Sequence, residues 1–241
     1  MIKLTDRLQV LADQIEQNET MADIGTDHGF LPIALWERGI CPHVILTDVS
    51  AGSLKKAEIN AKELYPHMTF DLRLGNGIGI LKAGEVDSIV IAGMGGILMT
   101  HILGEDLDKT KSFSKFVLQP RSGQGKLRYW LLHHGFTILQ ESLVREGKYI
   151  CEVLTVSPAG NHQGISGEIP QWKQDDIAYE VPPWILTAGD LAEEFIRNRL
   201  AAEKRVMEGL AKSSSANEDK KQETEKRIDY LMSLLGGVKK V

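Results

Sequence analysis

Residues 21–29 read Met-Ala-Asp-Ile-Gly-Thr-Asp-His-Gly: a short apolar run, then a turn with two glycines four positions apart and an acid between them. Helical periodicity flanks this stretch. Leu4, Leu8, Leu11 and Ile15 recur at helical spacing before it. After it, 30–38 predicts a helix, with Pro32 tolerated in the first turn and Gly39 as the stop. A strand turning tightly into a helix is the opening unit of an α/β sheet.

The alternation continues. Runs at 43–48, 69–74, 86–92 and 116–119 predict strands, and 53–64, 97–103 and 126–134 predict the helices between them. Such alternation makes a parallel sheet covered on both faces. Then 136–144 and 149–156 read as two strands around Arg145-Glu-Gly-Lys148, an antiparallel hairpin. Five parallel strands closed by a hairpin are the layout of a Rossmann-like class I methyltransferase sheet. A dinucleotide dehydrogenase more often continues with further βαβ units.

Beyond the hairpin, 159–183 is rich in Gly, Pro, Gln and polar residues and predicts a loop-rich connection. The remainder is helical in character. Phe195, Ile196, Leu200, Val206, Met207 and Leu210 mark one apolar stripe. Ile228, Leu231, Met232, Leu234 and Leu235 mark another, with a Ser-rich break at 213–217 between them. The expected α/β chain therefore has a sheet domain at 1–158, a connecting segment at 159–185 and a C-terminal α-helical coiled-coil hairpin at 186–241.

Composition bounds the function classes. With 241 residues and 42% hydrophobic content, a sizeable core is expected. The net charge of -5 gives no bulk signal for nucleic acid, so any such binding rests on local basic patches. Cys41 and Cys151 form no CxxC pair and no Cys/His spacing for zinc, so no metal is expected. The N-terminus lacks a signal-peptide apolar region, and no run approaches the roughly 18 apolar residues of a membrane helix. A cytoplasmic protein without a membrane partner is expected.

The sign of the first turn points to its ligand. A dinucleotide fingerprint reads GxGxxG, so that a pyrophosphate rests on helix N–H groups. Here Asp27 lies inside the turn, where a carboxylate repels a diphosphate and attracts the sulfonium and ammonium of S-adenosylmethionine (SAM). The acids also admit structural readings, Asp23 as a helix cap and Asp27 at a favourable helix start. Asp48 ends the second strand at the spacing of an acid that accepts from ribose hydroxyls, a device shared with NAD sites. Asn76, after the third strand, offers an amide to an adenine or serves the turn itself. The candidate cofactor-binding residues are Asp23, Gly25, Thr26, Gly29, Asp48, Val49, Asn76, Gly77, Ala92 and Gly93. All fall at the carboxyl edge of the expected sheet, where open α/β folds bind ligands.

Residues 21–29 and Ile-Ala-Gly-Met-Gly-Gly (91–96), with Leu-Gln-Pro (118–120), Leu-Arg-x-Trp-Leu (127–131) and the Glu, Gly and Lys positions of 141–148, resemble the bacterial tRNA (adenine-22-N1) methyltransferase family. The resemblance runs from the first helix through the hairpin. It departs at Arg121, where Asn is expected, at Asn76, where Asp is frequent, and at Asp48, where Glu also occurs. It implies a SAM cofactor, a tRNA partner, N1 methylation of an adenine, and a coiled-coil appendage that helps engage tRNA.

For that reaction Asp27, His28 and Met94 are the catalytic candidates, with Met94 and Gln119 lining a base pocket. N1 lies on the Watson–Crick edge, so the base must leave its stack; Phe30, Tyr129 and Trp130 are the aromatic candidates to receive it. Phosphates would be held by Arg121, Lys126 and Arg128 near the active edge and by Arg197, Arg199, Lys204 and Arg205 on the tail. A monomer or weak dimer is expected. Three alternatives stay open: a methyltransferase for a small molecule or protein, whose tail serves oligomerisation; an NAD-linked oxidoreductase; and a silent binding module.

Overall fold

The computed structural model describes residues 2–158, 164–165, 170–212 and 218–238. Its strands are β1 (Met21–Ile24), β2 (Val44–Asp48), β3 (Asp71–Leu74), β4 (Ser88–Gly95), β5 (Lys115–Ser122), β6 (Phe136–Glu146) and β7 (Tyr149–Pro158). They form one sheet in the order β3-β2-β1-β4-β5-β7-β6. Neighbours from β3 through β5 run parallel, and β7 is antiparallel to both β5 and β6. The chain reverses strand order at β1, so its first turn opens at a topological switch point.

Period-two alternation distributes the strand side chains between two cores. Ile89, Ile91, Phe116 and Leu118 face α4 (Gly96–Gly104) and α6 (Gln124–His133), where Met99, Leu103, Leu127 and Leu131 are buried. Val90 and Val117 point the other way, into a core with α1 (Asp6–Ala12), α2 (Phe30–Glu37) and α3 (Ala51–Leu64). A short α5 (Leu107–Thr110) completes the first face. β1 and β2 are buried at every position, as central parallel strands must be.

The structure extends two expected strands. β4 runs through Gly93 to Gly95 instead of ending at Ala92, and β5 continues through Pro120. Their register shifts between Ala92 and Met94, so the backbone at Gly93 is irregular at the sheet's carboxyl edge.

The segment expected as a loop-rich connection is more ordered than its composition suggests. Residues 159–163 and 166–169 and the Ser-rich break at 213–217 lie outside the described residues. The rest contains α7 (Ile177–Glu180) and a 3-10 turn at Pro183–Thr187. Ile177, Val181 and Ile185 are buried with Phe195 and Ile196 of α8 (Ala192–Lys212) and Leu231 and Leu234 of α9 (Glu218–Val238). Ile177, Val181 and Ile185 are four apart, but Pro182 and Pro183 between them break the segment into a one-turn helix and a 3-10 turn. α8 and α9 pack together, and Arg227 joins Glu203 at 2.8 Å to Glu180 at 3.1 Å. Within the expected stripes, Val206 and Met232 are exposed: the seam is narrower than the run of apolar residues.

Arg128, expected to hold phosphate, is wholly buried. Its Nε and Nη2 donate to the two oxygens of Glu141 at 2.8 Å, and Nη2 also donates to Glu152. Its Nη1 donates to the carbonyls of Tyr179 at 2.9 Å and Glu180 at 3.2 Å. Burial opposes the guanidinium charge, but the two carboxylates outweigh it and raise the pKa. Arg128 therefore ties the sheet to α7 and cannot reach a substrate.

Candidate active site

The turn after β1 is built from left-handed backbone. Gly25 has φ +80, Asp27 φ 48 and Gly29 φ +73. The glycines serve different ends. A Cβ on Gly25 would overlap Met94 Cε across the cleft, whereas one on Gly29 would meet Leu46 Cδ2 at 2.8 Å and Ala57 Cβ at 3.1 Å. Gly29 thus permits helix–sheet packing, and Gly25 permits the approach of the β4 end. Gly29 is the N-cap of α2 and makes no side-chain cap bond.

Gly25, Asp27 and Met94 border a cleft of about 530 Å³ at the carboxyl edge of the sheet, within the size range of small-molecule sites. Asp23, Gly25, Thr26, Asp27 and His28 enter it from the first turn, Asp48 and Val49 from β2, and Asn76 and Gly77 from beyond β3. Ala92, Gly93 and Met94 complete it from β4. Of the proposed cofactor residues, Gly29 alone stands behind the lining.

The acids differ in environment. Asp23 is buried and accepts the Thr26 hydroxyl at 2.7 Å, so it does not cap α2. Burial pushes its carboxyl up to about 6, and the Thr26 bond pulls the other way; the charge of Asp48 adds to the rise and that of Arg7 opposes it. Asp48 is also buried; it accepts the Ser50 N–H at 2.7 Å and the Asp27 N–H at 3.3 Å. Asp27 is exposed, with His28 Nε2 and Lys56 Nζ each 3.4 Å from its carboxylate. Asn76 is exposed and makes no side-chain cap bond to the following 3-10 turn, which leaves its amide available to a ligand.

Buried carboxylates at the β1 and β2 ends, an amide beyond β3 and a cleft open at Gly93 fit an adenosyl group carrying positive charge. The Gly93 Cβ position has no atom within 4 Å, so this backbone faces open space.

Gln119, expected to line a base pocket, is buried behind the wall. Its Oε1 accepts the Gly93 N–H at 3.1 Å and Arg7 Nη1 at 3.2 Å, and its Nε2 donates to the Pro120 carbonyl at 3.2 Å. Its role is to hold the irregular β4 end. Arg7 and Leu8 of α1 also line the cleft, a contribution the sequence reading did not include. No local motif marks them, because their partners come from the far end of the sheet.

Arg121 is exposed at the cleft edge and also borders a second cavity of about 420 Å³, shared with Lys126 and Arg199. Asp175, Asp176 and Glu180 line that cavity too. Arg199 Nη2 is 3.5 Å from Glu152. Arg197 is paired with Glu193 at 2.6 Å, Arg205 donates to the Ala201 carbonyl at 3.2 Å, and Lys204 is exposed. These last three border neither cavity. Tyr129 and Trp130 are likewise absent from the cleft: they stack on His133 and His134 at 4.1 and 4.3 Å along α6. Phe30 does line it.

Among the described residues, no group of three or more His, Cys, Asp or Glu side chains is arranged to hold a metal ion, and no helix is long and apolar enough to cross a membrane.

A family described as a methyltransferase domain matches residues 4–154. The tRNA (adenine(22)-N(1))-methyltransferase of Bacillus subtilis (strain 168) is 33% identical over 169 residues, covering 68% of this chain and 71% of that protein. The solved B. subtilis M1A22 tRNA methyltransferase TrmK superposes with a TM-score of 0.79 at 26% identity, covering 99% of this chain and 100% of that one. A Streptococcus pneumoniae protein solved in complex with S-adenosyl-L-methionine gives a TM-score of 0.80 at 26% identity, covering 97% and 100%.

Proposed function

The chain belongs to the tRNA (adenine(22)-N(1))-methyltransferase family, and from that membership we propose that it transfers a methyl group from S-adenosylmethionine to N1 of adenine 22 in tRNA. The observation that carries this reading is the single cleft that gathers Asp23, Asp27, Asp48, Asn76 and Gly93 at the carboxyl edge of the sheet. Its acids suit a cationic donor and repel a diphosphate. The working unit is a cytoplasmic monomer or weak dimer.

When bound, the donor supplies an electrophilic methyl on a sulfonium. The bond from carbon to adenine N1 forms as the bond to sulfur breaks, and the positive charge passes to the base. N1 already has an in-plane lone pair, so positioning supplies much of the rate gain. Asp48 would accept from the ribose hydroxyls of a bound donor, Asn76 would meet its adenine, and Asp23 would balance its positive charge. The carboxylate of Asp27, exposed on the cleft rim, stabilises the cation that develops on the base. His28 keeps Asp27 oriented, and Met94 closes the floor against Gly25. Arg121, Lys126 and Arg199 hold phosphates around the second cavity.

Incubation of unmodified tRNA with labelled donor, followed by nucleoside analysis, tests the proposal. N1-methyladenosine is the expected product. A different methylated nucleoside, or none, overturns it.

A further inference from the structure

The cleft carries an exposed aromatic ring. Phe30 is the first residue of α2 and is 39% exposed, whereas the residues at 31–35 behind it are all buried. It lines the cleft. His28, also exposed, holds its ring 7° from parallel with that of Phe30, with centroids 5.6 Å apart. Two stacking gaps at the ~3.4 Å spacing of bases need about 6.8 Å. No third ring fits between the pair, so a flat ligand must lie on an outer face.

The pair stands where the β1 turn meets α3, and Asn60 Nδ2 donates to the His28 carbonyl at 2.9 Å. Asp48 and Asn76 stand at the β2 and β3 ends. Phe30 rises from the β1 turn, with Arg7 of α1 bridging to Gln119 behind the β4 end. Gly93, at the β4 end of the same cleft, leaves open space.

We infer that Phe30, backed by His28, is the stacking platform for the adenine extruded from tRNA. The inference rests on the tRNA reading above. A base leaving its stack loses the faces of its neighbours, and an aromatic ring replaces one of them. The methylated base is cationic, and the ring face attracts a cation where an aliphatic side chain does not.

The test uses the full chain with unmodified tRNA and the variants F30A, F30L, F30Y and F30W. Donor affinity is measured by calorimetry alongside kcat/KM for tRNA. F30Y and F30W are expected to stay near wild type. F30A and F30L are expected to lose about tenfold to a hundredfold in kcat/KM, with donor affinity essentially unchanged. F30L keeps the test decisive if F30A loses its fold. Wild-type activity in F30L shows that apolar filling suffices and overturns the inference. So does a parallel fall in donor affinity, which assigns Phe30 to the cofactor. Absence of N1-methyladenosine with the wild-type chain defeats the functional reading itself, a result distinct from an active but Phe30-insensitive enzyme.

Discussion

Arg7 Nη1 lies 3.2 Å from Oε1 of Gln119, and that same oxygen accepts the Gly93 N–H at 3.1 Å. Glu146 holds the other side of the guanidinium, with Arg7 Nε at 2.6 Å. One buried amide thus links α1 to the irregular end of β4. R7A and Q119A are each expected to lower kcat with little change in KM for tRNA. Because they cut one chain of contacts, the double variant should be little worse than the weaker single one, a coupling of about 0.5–3 kcal/mol. Steady-state kinetics on the four proteins check this. Additive losses, or losses confined to KM, would count against the linkage.

Asp23 sets opposing demands on stability and binding. Its carboxyl is displaced from 3.8 to about 6, mainly by burial. Folding therefore favours the protonated form. This group's contribution to stability is full below the unfolded value near 4 and is lost as pH rises through about 6. Near neutral pH the unliganded protein carries a buried negative charge that a cationic donor relieves. D23N should raise the melting temperature of the unliganded protein at neutral pH, by up to about 3 kcal/mol of stability, and should weaken donor binding. Wild-type donor affinity should fall as pH drops through about 6, and that dependence should vanish in D23N. Calorimetry across this range, paired with thermal melts, reads both effects.

The parts of the fold legible in the sequence are those governed by neighbours in the chain. β1 and β2 are buried at every position, and apart from Asp23, Thr47 and Asp48 their residues are apolar. The acid-and-glycine turn is likewise local. What escaped notice depends on distant partners. Arg128 looks like a surface cation until Glu141 and Glu152, 13 and 24 residues away, fold onto it. Gln119 looks like a pocket residue, yet Arg7, 112 residues away, turns its amide inward. α7 spans too few residues to show a period, and its burial comes from the α8–α9 pair that follows it.

The Arg128 network yields a stability prediction. R128M leaves two buried carboxylates facing each other and should cost about 3–5 kcal/mol, the usual penalty for removing one partner of a buried pair. Denaturant melts measure this. Substituting Glu141 and Glu152 as well, by Gln and Leu, should recover part of the loss. At a temperature where R128M is folded, its affinity for tRNA should retain the wild-type salt dependence. A reduced slope would mean that Arg128 meets phosphate after all.

Arg121 and Lys126 have no carboxylate within ion-pair distance among the described residues, and both border the second cavity. Arg197 is held by Glu193 at 2.6 Å and lies outside it. A cation already neutralised by a carboxylate releases fewer counterions when it meets a phosphate than a free one does. R121A and K126A should each weaken tRNA binding and reduce the slope of log affinity against log salt by about 1. R197A should change that slope much less. Filter binding across a salt series distinguishes these outcomes. Equal slopes for wild type, R121A and K126A would remove the second cavity from the path of the RNA backbone.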